Sequence, residues 1–426
     1  MGPKRRGYGQ PSPMSRRNVL VVAPFVPAPP DFGGALRVFH LLKQLARTDD
    51  VSLVVPATHA EREQLDVLGE FCDVTFVPAA WTPRQPATTR KRLAQAASVA
   101  GGAAYLARSV RMPTMQAVID RLFLTRQFDL VQFEFSQMAS FRLPRPTPTV
   151  IDIHNAEFAF LQRVAATSPS SLKRAFNTLE YRKVRRLERR LWSQATLCVT
   201  TSDIDAALVS ALVTTPVHVV PNGVDASAFR RLDPPPERPT IVFTGTLRHA
   251  PNADGIRWYL RHVHPRVLAQ APDARLAIVG ADPPPDIRAA ASPNIQVAGY
   301  VEDIRPWLHD ARAAIVPLHA GGGTRLKILE AFAAGVPVVS TNIGAEGLEV
   351  IDGSDILLAD EPEAFAAAVV RVLRDTACSQ RLATRAEALV QERYDWSHVA
   401  TALRAAHARA LEQFAHARND ERGMHA

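Results

Sequence analysis

Cysteine, lysine and long apolar runs are all scarce in this 426-residue chain. Its three cysteines, Cys72, Cys198 and Cys378, are odd in number and widely scattered, so neither a disulfide framework nor a zinc site is expected. A reducing cytoplasm fits that usage best. Lysine occurs six times, and only Lys327 lies beyond residue 183. No run of about 18 apolar residues occurs, so no membrane-spanning helix is predicted. The early run Val19–Val26 is too short and too broken by proline for a secretory signal. H-E-x-x-H, C-x-x-C, G-x-S-x-G, the Walker A spacing and G-x-G-x-x-G are all missing, which leaves zinc, serine-hydrolase, P-loop and dinucleotide chemistry without support.

What is present is an ordinary globular composition, 47% hydrophobic and 22% charged, with a formal charge of +8. That charge is unevenly placed. Residues 1–17 carry five positives and no acid, residues 172–192 carry a net +6, and the rest sums to −3. A basic surface spread over the whole molecule would point to nucleic acid; this distribution does not.

Short apolar runs alternate with helical patterns, which predicts a parallel sheet with crossover helices. Strands are expected at 18–26, 51–55, 71–77, 130–134, 150–154, 196–200 and 217–220, with a helix over 35–46 and a long charged helix over 171–194. The pattern restarts with strands near 240–244, 275–279, 295–297, 313–317 and 337–340, and helices over 253–268 and 326–334. The expected division is a flexible basic extension 1–17, a Rossmann-like domain 18–225, a linker 226–239 containing Pro234–Pro236, a second domain 240–395, and a final helix and tail 396–426. The fold class is α/β, two doubly wound parallel-sheet domains facing a cleft, with ligands beyond the carboxyl ends of the strands.

The strongest motif is GGGTRLKILE, 321–330. Three glycines at a strand-to-helix turn offer a nest of backbone donors, and Arg325 and Lys327 add positive charge suited to a pyrophosphate. Glu330 can accept from two vicinal hydroxyls, as a ribose offers. Gly33-Gly34 before the first helix is either a turn pair or a place where backbone approaches a ligand. His154, ending the strand VIDIH, is either a structural histidine or one facing the cleft. Arg248 follows the strand end FTGTL and is equally open. Asp203-Ile204-Asp205 matches a metal-binding D-x-D, but Ser202 and Asp203 sit where a helix begins, and capping explains them. The basic helix is either a solvated face with i,i+3 pairs such as Glu180–Lys183 and Arg185–Glu188, or a contact for anionic phospholipid or a phosphate-bearing acceptor.

Together these residues resemble the family four retaining glycosyltransferases with the GT-B fold, of the bacterial polysaccharide or glycoconjugate type. The resemblance rests on Gly33-Gly34, DIHNAEF (152–158), VVPNGVD (219–225), FTGTL (243–247) and above all 321–348. It implies a hexose-type sugar moved from a nucleotide-diphosphate sugar to a saccharide, lipid-linked or small-molecule acceptor, without cofactor or metal. It also implies a cytoplasmic protein, peripheral to the inner face of the membrane if the basic helix docks there, and no nucleic-acid partner. Carried onto this sequence, the catalytic residues are His154, Arg325 and Lys327. Donor binding falls to Gly33, Gly34, Arg248, Tyr300, Val301, Gly322, Gly323, Thr324 and Glu330. The chain departs from the family's Glu-x7-Glu pair, because position 322 is Gly, and has Asp254-Gly255 where Lys-Gly is common. A nucleotide-sugar epimerase or hydrolase on the same fold, and a non-catalytic donor-like binder, are the competing readings.

Overall fold

The structure is a computed structural model describing residues 16–80, 82, 88–110, 112–167, 170–230, 238–321 and 323–424. Most of the expected extension 1–17, the prolines of the linker and Gly322 lie outside the described residues.

The first sheet has seven parallel strands: β1 (Asn18–Val22), β2 (Asp50–Ala57), β3 (Asp73–Pro78), β4 (Leu130–Glu134), β5 (Thr149–Ile153), β6 (Leu197–Thr200) and β7 (Val217–Val219). Their order is β3-β2-β1-β4-β5-β6-β7. The second has six, β8 (Thr240–Thr244), β9 (Arg275–Val279), β10 (Ile295–Gly299), β11 (Ala313–Val316), β12 (Val338–Ser340) and β13 (Leu357–Leu358), in the order β10-β9-β8-β11-β12-β13. The central strands are apolar throughout because both faces are covered: Val19 and Val21 enter one core layer, Leu20 and Val22 the other. Each order reverses once, between β1 and β4 and between β8 and β11. The segments leaving those four strands mark the crevice where such sheets take ligands.

The chain crosses between domains twice at one place. Val224 N donates to Tyr394 O at 2.8 Å and Trp396 N to Val224 O at 3.2 Å. A Cβ on Gly223 would meet the Trp396 ring at 2.8 Å, so only glycine fits there. Helix Trp396–Met424 then returns to the first domain, where Val399, Leu403, Ala406 and Ala410 join the core of Val19, Leu41 and Leu45. Trp396 stacks on His40 with ring centroids 5.1 Å apart.

The predicted helix 253–268 is helical without a break from Ala250 to Gln270, with a π-helical turn, Tyr259–Val263, in its middle. Pro265, which has no N–H to give the ladder, sits where the α-helical turns resume. Residues 88–109, for which no element was predicted, hold helices Thr88–Ala100 and Tyr105–Ser109. The basic helix Ser171–Gln194 organises them: Glu180 accepts from Ser98 Oγ and from Tyr105 N, and Lys183 donates to the carbonyls of Ser98 and Gly101. Glu188 does not serve a surface pair with Arg185; it is buried and accepts from the backbone N–H groups of Glu157 and Phe158, starting helix Glu157–Thr167. Burial, then Glu157, pushes its carboxyl up to about 8.

Candidate functional site

On the first domain, β1 leads into Ala23–Phe32 and helix Gly33–Leu45. The N-cap, Phe32, makes no side-chain capping bond. A Cβ on Gly34 would lie 3.0 Å from the Phe135 ring and 3.1 Å from Phe32, so the tight turn needs glycine here. Phe135, just past β4, has φ +68°, a conformation costly for a bulky residue. It is held there by its N–H donating to Asp152 O at 2.9 Å and by stacking on His154, with centroids 3.8 Å apart.

His154 is buried, and its Nε2 lies 2.9 Å from Glu134 Oε2. Asp152 accepts from Arg37 Nε and Nη2, both at 2.9 Å, in a wholly buried bidentate pair. Arg37 Nη1 also donates to Pro221 O and Asn222 Oδ1, at 2.9 and 3.1 Å. That use explains PNGVD: it closes over an arginine on the opening helix. Glu134, Asp152 and His154 have metal-ligating atoms within 4.8 Å of one another. Arg37 takes both oxygens of Asp152, while Gln132 and His154 take one each of Glu134, so the cluster is already a hydrogen-bonded network.

On the second domain, β11 leads into the glycine loop before helix Leu326–Ala333. Gly321 (φ +129°) and Gly323 (φ +73°) adopt backbone that side chains disfavour. Arg325 Nη1 donates back to Gly323 O at 2.6 Å. Thr324 Oγ1 is buried with no partner among the described residues. Lys327 Nζ donates to Asn252 Oδ1 at 3.0 Å and lies 4.2 Å above the Phe243 ring. Burial first, then Arg325, brings the Lys327 ammonium down to about 7. Burial also raises Glu330, one turn on, to about 7, against the pull of Lys327. Burial, then Arg325 and Lys327, holds His249 below its usual value. A desolvated lysine held by an amide oxygen and a ring face, with Arg325 beside it, is arranged to receive an anion.

The two walls meet. Arg163, from the first domain, donates to Gly321 O at 2.9 Å and pairs with Glu346 at 3.3 Å. A Cβ on Gly323 would come within 2.5 Å of Asn155 Oδ1, and one on Gly33 within 3.5 Å of Leu326 Cδ1. His154-Asn155, the opening helix and the glycine loop therefore face one another across the crevice. A cavity of about 1020 Å³ lies instead at the amino ends of β2 and β3, lined by Arg62, Asp66 and Asp73, and contains none of these residues.

Among the residues expected from sequence, Gly33, Gly34, His154, Gly323, Thr324, Arg325 and Lys327 come together at the crevice, with Glu330 beside Lys327. Tyr300 and Val301 follow β10 at the same end of the sheet, Tyr300 largely exposed. Arg248 is not drawn in: its side chain is 82% exposed and lies 3.7 Å from Asp282. Asp203-Ile204-Asp205 starts a helix, with Ser202 accepting from Asp205 N, as capping required. Sequence reading missed Arg37, Glu134, Arg163, His249 and Glu346. The alternation Leu130, Gln132, Glu134 was the one available signal, since it places two polar side chains on a face expected to be apolar.

Comparison with known proteins divides the chain in the same place. Residues 33–228 match the family model described as Glycosyltransferase Family 4, and 238–375 the one described as Glycosyl transferases group 1. Over 173 residues the chain is 28% identical to an uncharacterized 44.6 kDa protein in the cps region of Klebsiella pneumoniae, covering 38% of this chain and 44% of that one. Over 204 residues it is 32% identical to glycogen synthase of Mycobacterium tuberculosis, covering 44% and 47%. The chain thus spans about half the length of the curated relatives it matches. Sucrose-phosphate synthase from Thermosynechococcus elongatus superimposes with TM-score 0.68 at 16% identity, over 92% of this chain and 99% of that one. Anabaena HepE in complex with UDP gives 0.63 at 15%, over 91% and 98%. These likenesses fix the fold as GT-B.

Proposed function

We propose that these two glycosyltransferase domains act together to move a hexose-type sugar, with retained configuration, from a nucleotide-diphosphate sugar to an acceptor. The observation that carries this reading is the loop 321–330: left-handed glycines, a Thr324 hydroxyl without a partner among the described residues and the desolvated pair Arg325 and Lys327, across from Asn155, which follows His154. HepE, of the same fold, is described as bound to UDP. In this reading the diphosphate of the donor sits on the loop, where its charge replaces the water that Arg325 and Lys327 lack. Each charge-assisted hydrogen bond formed there contributes about 1.5–3 kcal/mol. Those bonds strengthen as the leaving diphosphate gains charge, so side-chain cations stabilise the transition state without a metal ion. Glu330 takes the ribose hydroxyls, Tyr300 and Val301 border the base, and His154 contacts the sugar. Closure of the walls through Arg163 keeps water from the donor.

The acceptor is a saccharide, a lipid-linked sugar or a small molecule approached from the first domain, and the setting a bacterial cytoplasm and polysaccharide synthesis. The inward turn of Glu180 and Glu188 supports a surface role for the basic helix. Arg182, Arg185, Arg186, Arg189 and Arg190 are exposed along one stripe with no acid between them, and Leu172 near the helix start is 82% exposed. That face suits anionic headgroups or a phosphate-bearing acceptor, each basic residue contributing about 1 kcal/mol at a charged membrane. No helix among the described residues is long and apolar enough to cross a membrane.

The test is a thermal-shift panel of nucleotide-diphosphate sugars followed by product analysis. A donor at about 100 times its Kd stabilises by about 2.7 kcal/mol. Transfer that needs an acceptor and retains configuration supports the proposal. Donor consumed alone, with free or converted sugar, supports the hydrolase or epimerase reading. No donor binding at all supports a non-catalytic protein.

A further inference from the structure

The crossover helix buries one polar side chain that the proposed reaction does not use. His407 is 1% exposed and lies on the same buried face as Leu403, Ala406 and Ala410. Its Nε2 is 2.7 Å from Gln132 Oε1 on β4. Gln132 Nε2 donates to Glu134 Oε1 at 2.6 Å, and Glu134 Oε2 lies 2.9 Å from His154 Nε2. Four buried side chains therefore form one unbroken chain from the helix to the candidate catalytic histidine.

The direction of every bond in it is fixed by elementary chemistry. A carboxylate only accepts, so Gln132 turns its NH2 to Glu134 and its oxygen to His407. That oxygen needs a donor, so His407 carries its proton on Nε2. Burial keeps His407 neutral by lowering it to about 4, and its Nδ1 has no partner among the described residues. At the other end, the second oxygen of Glu134 accepts from His154 Nε2–H. In the neutral ring the proton of His154 is thereby held on Nε2, which leaves Nδ1 as the acceptor.

Packing alone does not call for this arrangement. Three polar side chains buried among aliphatic ones cost free energy unless all are satisfied, and an apolar trio of similar volume would be at least as stable. One nitrogen of His407 is left without a partner among the described residues even so. The chain of bonds leads to His154, whose Nε2 also lies 3.9 Å from Asp152 Oδ2.

We infer that His407 and Gln132 are positioning residues, which act through Glu134 to hold His154 in the Nε2–H tautomer with Nδ1 open to a donor-sugar hydroxyl. The inference rests on the proposed role of His154 at the sugar. Because the helix leaves the second domain at Asp395, its seating ties the first wall's histidine to the chain that joins the domains.

The test uses the full chain labelled with 15N in its imidazoles, without donor, the His154 signals being assigned by their loss in His154→Gln. The wild type should show His154 as the Nε2–H tautomer. Gln132→Leu and His407→Leu should give a mixture of tautomers and a kcat about 10-fold to 100-fold lower, with KM for the donor within about 2-fold. His407→Gln, whose amide can still donate to Gln132, should restore both the tautomer and most of kcat. An unchanged tautomer in Gln132→Leu and His407→Leu would overturn the inference, as would His407→Gln behaving like His407→Leu. Should Gln132→Leu fail to fold, the two His407 variants decide. If the wild type turns over no donor, the proposed function fails, while the tautomer spectra still decide this inference.

Discussion

The two walls of the crevice solve the problem of buried charge in opposite ways. On the first, Asp152 is paired with Arg37, and Glu134 with Gln132 and His154, although burial also raises Glu157 at the start of the following helix. On the second, burial itself moves the groups, Lys327 downward and Glu330 upward, and the Thr324 hydroxyl has no partner among the described residues. A saturated wall holds a shape. An undersatisfied one holds a place for a ligand, and tolerates the cost because the ligand removes it.

The contrast breaks most visibly in turnover. Arg325→Ala with Lys327→Ala removes two charge-assisted contacts to the diphosphate, about 3–6 kcal/mol together, so donor turnover should fall by roughly 10²–10⁴-fold. The same variant should unfold no earlier than the wild type, because it removes desolvated charge. Circular dichroism melts alongside a steady-state assay check both halves; normal turnover would remove the loop from the site.

The first wall should respond the other way. Arg37→Met leaves Asp152 buried and unpaired, a loss of about 3–5 kcal/mol, read as an earlier denaturant transition. If the midpoint held, the pair would not be the anchor that its geometry indicates. A smaller effect sharpens the comparison within the loop. Thr324→Val deletes a buried hydroxyl that has no partner among the described residues, so stability should rise by about 1 kcal/mol while kcat/KM for the donor falls about 10-fold. A drop in both would mean that the hydroxyl is satisfied in the folded protein.

The same contrast explains what the sequence could disclose. The glycine loop was legible because its signal is local: three glycines, two cations and a carboxylate lie within ten residues. The two-sheet architecture was legible for the same reason, in valine-rich runs separated by helical periods. Arg37 and Asp152 are 115 residues apart, and nothing near either names the other. The basic helix misled in part: the i,i+3 pair Glu180–Lys183 forms at 3.8 Å but is buried, and both Glu180 and Glu188 face inward and accept from the starts of other helices. Helices 88–100 and 105–109 were missed because part of what organises them is that same distant carboxylate and Lys183.

The central claim, that the loop is a diphosphate site with a desolvated lysine, is tested most directly by counting protons taken up on binding. With its ammonium lowered to about 7, Lys327 is mostly neutral at pH 8 and must gain a proton to meet a diphosphate. Glu330, raised to about 7, is mostly ionised at that pH and contributes little. Calorimetry with a nucleoside diphosphate at pH 8, in buffers of different ionisation enthalpy, should therefore find uptake approaching one proton. Lys327→Arg, charged throughout, should bind with none. Equal uptake in the two proteins, or none in the wild type, would contradict the account.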